Sequence, residues 1–219
     1  GLIIGGLTVA IDPLSQTLLA ACLVAFAILG YLASRQVPTT RAVDPQLKIS
    51  LNAWTETWRI VSYAREDRTV FLSILGISWF WFFGATFLVQ IPSFSENVLG
   101  GDERLMSTLL AIFIIGISTG SLLCERLSGG HVEIGLVPFG AIGLTLFCVD
   151  MYFASSIEHA AYTGLANFFA TGANWRIILD LLMIGIFSGF YIVPLYALVQ
   201  QRSEPGHRSR VIAGNNILN

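Results

Sequence analysis

Charged side chains inside long apolar stretches are the residues of this sequence best placed to do chemistry. Asp150 and Asp180 each lie toward one end of such a stretch, and Arg176 begins the second stretch. An ionisable group is costly inside a bilayer, so these residues are candidates for binding a substrate or a coupling ion. Arg176 and Asp180 are four residues apart on one helix face, which instead predicts a structural, mutually neutralising pair near the outer end of the span.

Gln90 is a weaker candidate of the same kind. It precedes Ile91 and Pro92 at the end of another apolar stretch. Its amide could contact a lipid headgroup, or the residue could simply close its helix, and the second interpretation is favoured.

The segment 116–120 has the Gly-x-Ser-x-Gly spacing of a serine-hydrolase nucleophile elbow. That motif requires a strand, a strained turn and then a helix, whereas this segment lies in the middle of an apolar stretch. Gly116 and Gly120 therefore predict a close-packing helix surface. The three histidines also form no catalytic or metal-binding pattern (His131, His159 and His207). We expect no enzyme activity, no cofactor and no metal site.

The composition indicates the class of protein in which these residues lie. Of 219 residues, 54% are hydrophobic and 12% are charged, against about 45–50% and about 25% in soluble domains. The mean hydropathy is +0.71. A net charge of -2 gives no basic field for nucleic acid. The three cysteines lie in apolar runs and are predicted to be small buried side chains rather than disulfides (Cys22, Cys124 and Cys148).

Five apolar stretches are long enough to cross a hydrocarbon core of about 30 Å as helices. They cover residues 14–34, 70–92, 105–124, 132–154 and 176–199. The stretches lack the alternation of barrel strands, so the sequence predicts an all-α, polytopic membrane protein. Residues 1–11 and 211–219 have the composition of truncated spans. We therefore expect an internal fragment of a longer protein.

The basic residues predict how the spans are oriented. Lysine and arginine are retained on the cytoplasmic side of short connections. Ten of the twelve fall in alternate connections: Arg35, Arg41, Lys48, Arg59, Arg65, Arg68, Arg126, Arg202, Arg208 and Arg210. This places the long connection 35–69 inside. Within it, a helical repeat of apolar residues predicts an amphipathic helix that lies on the membrane surface or packs on helix ends (Leu47, Leu51, Trp54, Trp58 and Val61).

This arrangement resembles the major facilitator superfamily, whose two six-helix halves are joined by a long cytoplasmic loop containing amphipathic helix. The resemblance implies that residues 1–34 end the N-terminal half, that 35–69 are the loop, and that 70–219 are most of the C-terminal half. The chain would then run from about helix 5 to the start of helix 11.

The turn 121–131 resembles the weaker copy of a charged motif that this superfamily carries between helices eight and nine. Glu125 takes the place of the motif's aspartate and Arg126 that of its basic residue, while Ser121 and Ser128 replace glycines. The resemblance implies a conformational latch between the two halves. A solvated polar turn is the equally weighted alternative.

Segments 185–200 and 208–216 are similar to the bacterial lysophospholipid transporter branch, of which some members are fused to an acyltransferase and an acyl-carrier-protein synthetase. The resemblance implies a bacterial inner-membrane importer that moves lysophospholipid, with membrane lipids and a fused or associated acyltransferase as partners. A drug or metabolite exporter, and a membrane scaffold or enzyme domain fused to lipid-metabolising domains, remain alternatives.

The last span carries residues that let a helix bend and pack closely, namely Gly185, Gly189 and Pro194. A transporter that rocks between two states needs such a helix beside its central cavity. A static membrane protein could use the same residues for packing alone.

Overall fold

The computed structural model describes residues 12–37, 67–156, 162–203 and 208–218, together with Trp58, Ser62 and Arg65. These residues form helices and connections, without a strand among them. The helices are α1 (Asp12–Ser34), α2 (Arg68–Asn97), α3 (Glu103–Ser128), α4 (Leu136–Ser155), α5 (Leu165–Ala170), α6 (Asn174–Arg202) and α7 (Arg208–Leu218). The all-α prediction is confirmed.

Four helices, α2, α3, α4 and α6, are long and apolar enough to cross a membrane. The fold is therefore that of a polytopic helical membrane protein. The described part of α1 adds a shorter apolar helix, Ala20–Ser34, so a complete span at 14–34 stays a prediction. Large apolar side chains cover the outward surface of the bundle, as lipid contact requires: Phe82, Val89, Ile142 and Leu146 are exposed.

Helix α2 is longer than the sequence predicted, because it continues through Pro92 to Asn97. Proline is tolerated within membrane helices, where neighbouring groups satisfy the freed backbone carbonyl. The interpretation of Gln90 as the residue that closes the helix is therefore wrong. At the other end, the Asp67 carboxylate caps α2 by accepting the Thr69 N–H at 2.7 Å.

Helix α3 has strong signals at both ends. The Asp102 carboxylate accepts the N–H groups of Arg104 and Leu105 at 3.1 and 3.0 Å. Gly129 ends the helix with a φ of 58°, a left-handed conformation that glycine adopts at little cost. The segment 116–120 lies inside this continuous helix, without the strand and turn of a nucleophile elbow.

Helix α6 packs along α3 through glycines on both helices. A Cβ atom on Gly185 would lie 2.5 Å from the carbonyl oxygen of Phe113, and one on Gly189 would lie 2.5 Å from the backbone nitrogen of Ser121. Side chains at Gly116 and Gly120 would likewise overlap the backbone of α6. Small residues thus let the two backbones touch, which is a common way of packing helices in membranes.

Two of the apolar clusters that involve the middle helix α6 lie toward its two ends. One lies toward the α2–α3 turn, which we call the Asp102 end, and contains Leu105, Phe113, Phe168, Ile177 and Leu181. The other lies toward the opposite end, called the Glu125 end, and contains Val70, Ile74, Ile77, Leu195 and Val211. The second cluster includes α7, so α2, α6 and α7 meet there.

Every side chain of α1 that the structure describes is exposed, and Cys22 is one of them. The prediction that all three cysteines are buried is therefore wrong for Cys22, whereas Cys124 is buried and Cys148 is half-buried. Segment 1–11 and most of the predicted amphipathic helix lie outside the described residues. Of that helix, Trp58 is exposed, with the Arg65 guanidinium 6.0 Å from its ring centroid.

Candidate functional site

Arg176 at the start of α6 binds Asp150 near the end of α4. Its Nε donates to Oδ2 of Asp150 at 3.0 Å, and its Nη2 donates to Oδ1. The two hydrogen bonds form the bidentate geometry that a guanidinium and a carboxylate favour. The two side chains are 44% and 38% exposed, so the pair lies at the edge of the bundle. The predicted pairing of Arg176 with Asp180 is wrong, because the neighbouring helix supplies the partner.

Asp180 lies one turn deeper in α6 and is only 1% exposed. Its Oδ2 is enclosed and accepts no hydrogen bond. The Asp180 carboxyl interacts electrostatically with Asp150 and with Arg176. The structure therefore gathers Asp150, Arg176 and Asp180, which we call the acid–arginine cluster.

A groove of about 470 Å³ runs along the bundle between α2 and α4, with α6 at its base. Its lining is almost wholly apolar: Trp79, Phe80, Phe83, Ala141, Leu144, Thr145, Cys148, Val149, Tyr152, Phe153 and Tyr191. Cys148 belongs to the groove and also lies within electrostatic range of Asp180. The groove and the acid–arginine cluster therefore adjoin on α4.

The other candidate residues lie apart from this cluster. Gln90 is exposed on α2. Glu125 and Arg126 are exposed at the Glu125 end of α3 and do not line the groove. Pro194 is buried within α6. The role of Glu125 and Arg126 as a conformational latch stays a prediction.

The described residues contain no group of three or more side chains that could hold a metal ion. His131 is exposed, and its Nδ1 lies 3.2 Å from the carbonyl oxygen of Gly129. His159 and His207 lie outside the described residues.

A hydrogen bond between two connections at the Asp102 end was not predicted. The Tyr162 hydroxyl donates to the Asp102 carboxylate at 2.9 Å. Partial burial and the Asp102 carboxylate raise the pKa of Tyr162 to about 12. Burial acts to raise the pKa of Asp102, but hydrogen bonds from Leu105, Tyr162 and Arg104 outweigh it, and the pKa is lowered. Sixty residues separate the two partners, so neither spacing nor periodicity could indicate the contact.

Curated bacterial proteins match this chain over most of its length. Lysophospholipid transporter LplT of Serratia proteamaculans (strain 568) is 28% identical over 205 residues, covering 91% of this chain and 45% of the relative. LplT of Escherichia coli O139:H28 (strain E24377A / ETEC) is 28% identical over 208 residues, with the same coverage of the two chains. The chain is similar to bacterial lysophospholipid transporters. The resemblance inferred from 185–200 and 208–216 is thus confirmed.

The chain spans about half the length of the curated LplT relatives it matches. No family model matches it. No solved structure matches it either. The similarity to LplT and the four apolar helices support a multi-pass membrane protein.

The groove is the part of the site that the sequence analysis missed. The dense aromatic run at 79–83 predicts that part of it faces lipid or an acyl-chain-sized cavity, and lipid is the favoured interpretation. In the structure, Trp79, Phe80 and Phe83 turn to the groove, while Phe82 is exposed on the outer surface. Which aromatic side chains face the groove depends on how α2 packs against α6, and the run alone does not fix that.

Proposed function

We propose that this chain forms part of a transporter that moves lysophospholipid across a bacterial inner membrane. The observation that carries the proposal is the similarity to lysophospholipid transporter LplT over 91% of the chain. The groove beside a charged cluster supports it, since a lysophospholipid has one acyl chain and a charged headgroup. The apolar lining suits the acyl chain, and the partly exposed Arg176–Asp150 pair offers polar groups near the groove for the headgroup.

The proposed organisation follows the major facilitator pattern. Residues 1–34 would end one six-helix half, 35–69 would form the cytoplasmic loop, and 70–219 would form most of the other half. The Asp102 end would face outward and the Glu125 end would face the cytoplasm. The two halves would expose a central site alternately, with Glu125 and Arg126 as the latch and α6 as the flexible helix at Pro194. An associated or fused acyltransferase would then reacylate the imported lipid.

The decisive experiment measures entry of a labelled lysophospholipid into spheroplasts that produce the full-length protein and lack any other uptake route. We expect saturable entry that unlabelled lysophospholipid inhibits. Glycerophosphodiesters, which lack the acyl chain, should not inhibit it. Absence of entry from a correctly inserted protein, or outward movement of a drug instead, would contradict the proposal.

Filling the groove tests its part in the proposal. Ala141 lines the groove on α4, whereas its neighbour Ile142 points outward and is 69% exposed. Ala141→Phe should lower the initial rate of entry several-fold at unchanged protein level, because the added ring occupies acyl-chain space. Ile142→Phe is the matched control and should leave the rate unchanged. Equal rates in both variants would exclude the groove as the acyl-chain path.

A further inference from the structure

The acid–arginine cluster has one more carboxyl group than it has cations. Arg176 already binds both oxygens of Asp150. Asp180 is enclosed, and its Oδ2 has no hydrogen-bond partner. If both carboxyl groups were ionised, the cluster would carry a net negative charge inside an apolar bundle, which is costly.

The contact between the two carboxyl groups shows how this charge can be removed. An ionised carboxylate only accepts hydrogen bonds, so two carboxylates cannot bond to each other. Asp150 and Asp180 interact directly beside the single cation Arg176, and two neighbouring carboxylates are not both ionised at low cost. A proton on one of them removes the excess charge. Asp150 accepts two bonds from a cation and is best ionised, so the proton belongs on Asp180.

The groups around Asp180 offer no other compensation. From α4 it meets Asp150 and the Cys148 thiol, and from its own helix it meets Arg176. The apolar cluster at this part of α6 includes Leu109 and Phe113 of α3 and Phe168 of α5. No second cation among the described residues therefore neutralises the Asp180 carboxyl.

We infer that Asp150 and Asp180 share one exchangeable proton beside Arg176, so that the acid–arginine cluster is a proton-binding site of the transporter. A proton from water adds to the Asp180 carboxylate and gives a neutral cluster; its release leaves one uncompensated negative charge. Arg176 and Asp150 are partly exposed, which gives the proton a path to water at the Asp102 end. A coupling of this proton to lipid movement rests on the proposed function, whereas the proton site does not.

Infrared difference spectroscopy of the purified full-length protein tests the site directly. At neutral pH the wild type should show the C=O band of a protonated carboxylic acid, shifted in heavy water. Asp180→Asn should remove the band and keep the fold, because the amide is neutral and can donate to Asp150. Asp150→Asn should also remove it, since Asp180 then becomes the counter-ion of Arg176. Glu96→Gln, which alters an exposed carboxyl on α2, is the control and should leave the band in place.

A wild type without the band, or a band that survives Asp180→Asn, would overturn the proton site. A band that survives Asp150→Asn would overturn the sharing. In proteoliposomes, an inward proton gradient should raise the initial rate of lysophospholipid entry several-fold in the wild type and not in Asp180→Asn. If entry occurs but ignores the gradient, the coupling fails and the proposed function stands. If the band is present and no lysophospholipid enters, the proposed function fails and the proton site stands.

Discussion

Asp150 and Arg176 join α4 to α6 by a bidentate ion pair across 26 positions of sequence. The pair spans the connection that contains α5, so it fixes the ends of two spanning helices beside the buried carboxyl of Asp180. Its position at the bundle edge lets water reach one side of the cluster. The same contact therefore has a structural role and a place in the proposed proton site.

Removing Arg176 should destabilise the protein more than removing Asp150. Arg176→Gln leaves two carboxyl groups without a cation, whereas Asp150→Asn leaves Arg176 with Asp180 as a counter-ion. We expect the arginine variant of the full-length protein to unfold at a lower temperature and to accumulate less than the aspartate variant. Thermal unfolding in detergent and quantitative membrane blots measure both effects.

The double variant Arg176→Gln with Asp150→Asn is the control for this comparison. It removes a cation and an anion together, so it should recover part of the stability lost in Arg176→Gln. Equal losses in both single variants, without recovery in the double variant, would mean that the ion pair does not stabilise the bundle.

The site was only partly predictable from sequence. Apolar context alone identified Asp150, Arg176 and Asp180, because a charge in such a stretch is unusual. Their pairing was not predictable. The four-residue spacing permits Arg176 to meet Asp180, but the approach of α4 brings Asp150 to the same guanidinium in a bidentate arrangement. That approach is a property of helix packing.

The fold was more predictable than the site. Hydropathy placed the four observed spans within five residues at each end, since span length follows bilayer thickness. The largest error is at α2, where Pro92 was taken as an end signal although membrane helices tolerate proline. The spacing of Gly116 and Gly120 indicated a packing surface, but not that α6 would supply Gly185 and Gly189 opposite.

The α3–α6 contact should be intolerant of a single added methyl group. In Gly185→Ala the new Cβ would lie 2.5 Å from the Phe113 carbonyl oxygen, so the two backbones must separate. We expect a loss of about 1–3 kcal/mol in unfolding free energy. Gly84→Ala is the matched control, because Gly84 lies within α2 with nothing within 4 Å of the added atom. Unfolding in denaturant distinguishes the two; similar stability of both variants would contradict the close backbone contact.

The predicted orientation can be tested with single cysteines in the full-length protein, after its native cysteines are replaced. Asn97→Cys and His131→Cys place exposed thiols at opposite ends of the bundle. An impermeant thiol reagent applied to intact cells should label the first and not the second. Permeabilised cells should allow labelling of both and provide the control. Labelling of His131→Cys in intact cells would contradict the orientation.

The Tyr162–Asp102 hydrogen bond should make stability depend on pH at both extremes. The pKa of Asp102 is lowered in the folded state from 3.8, so its contribution is present above pH 3.8 and is lost as pH falls further. The pKa of Tyr162 is raised from 10.0 to about 12, so its contribution is complete below pH 10.0 and is lost as pH rises toward about 12.

Two conservative variants separate this hydrogen bond from helix capping. Asp102→Asn keeps a side chain that caps α3 well but removes the carboxylate charge, so Tyr162 should ionise at lower pH than in the wild type. Tyr162→Phe should remove that tyrosinate transition and raise the pKa of Asp102, because one hydrogen bond to the carboxylate is lost. Tyrosinate absorbance titrations of the full-length wild type and both variants give the transitions by difference. A Tyr162 transition that keeps its position in Asp102→Asn would show that burial alone sets it and that the carboxylate contributes nothing.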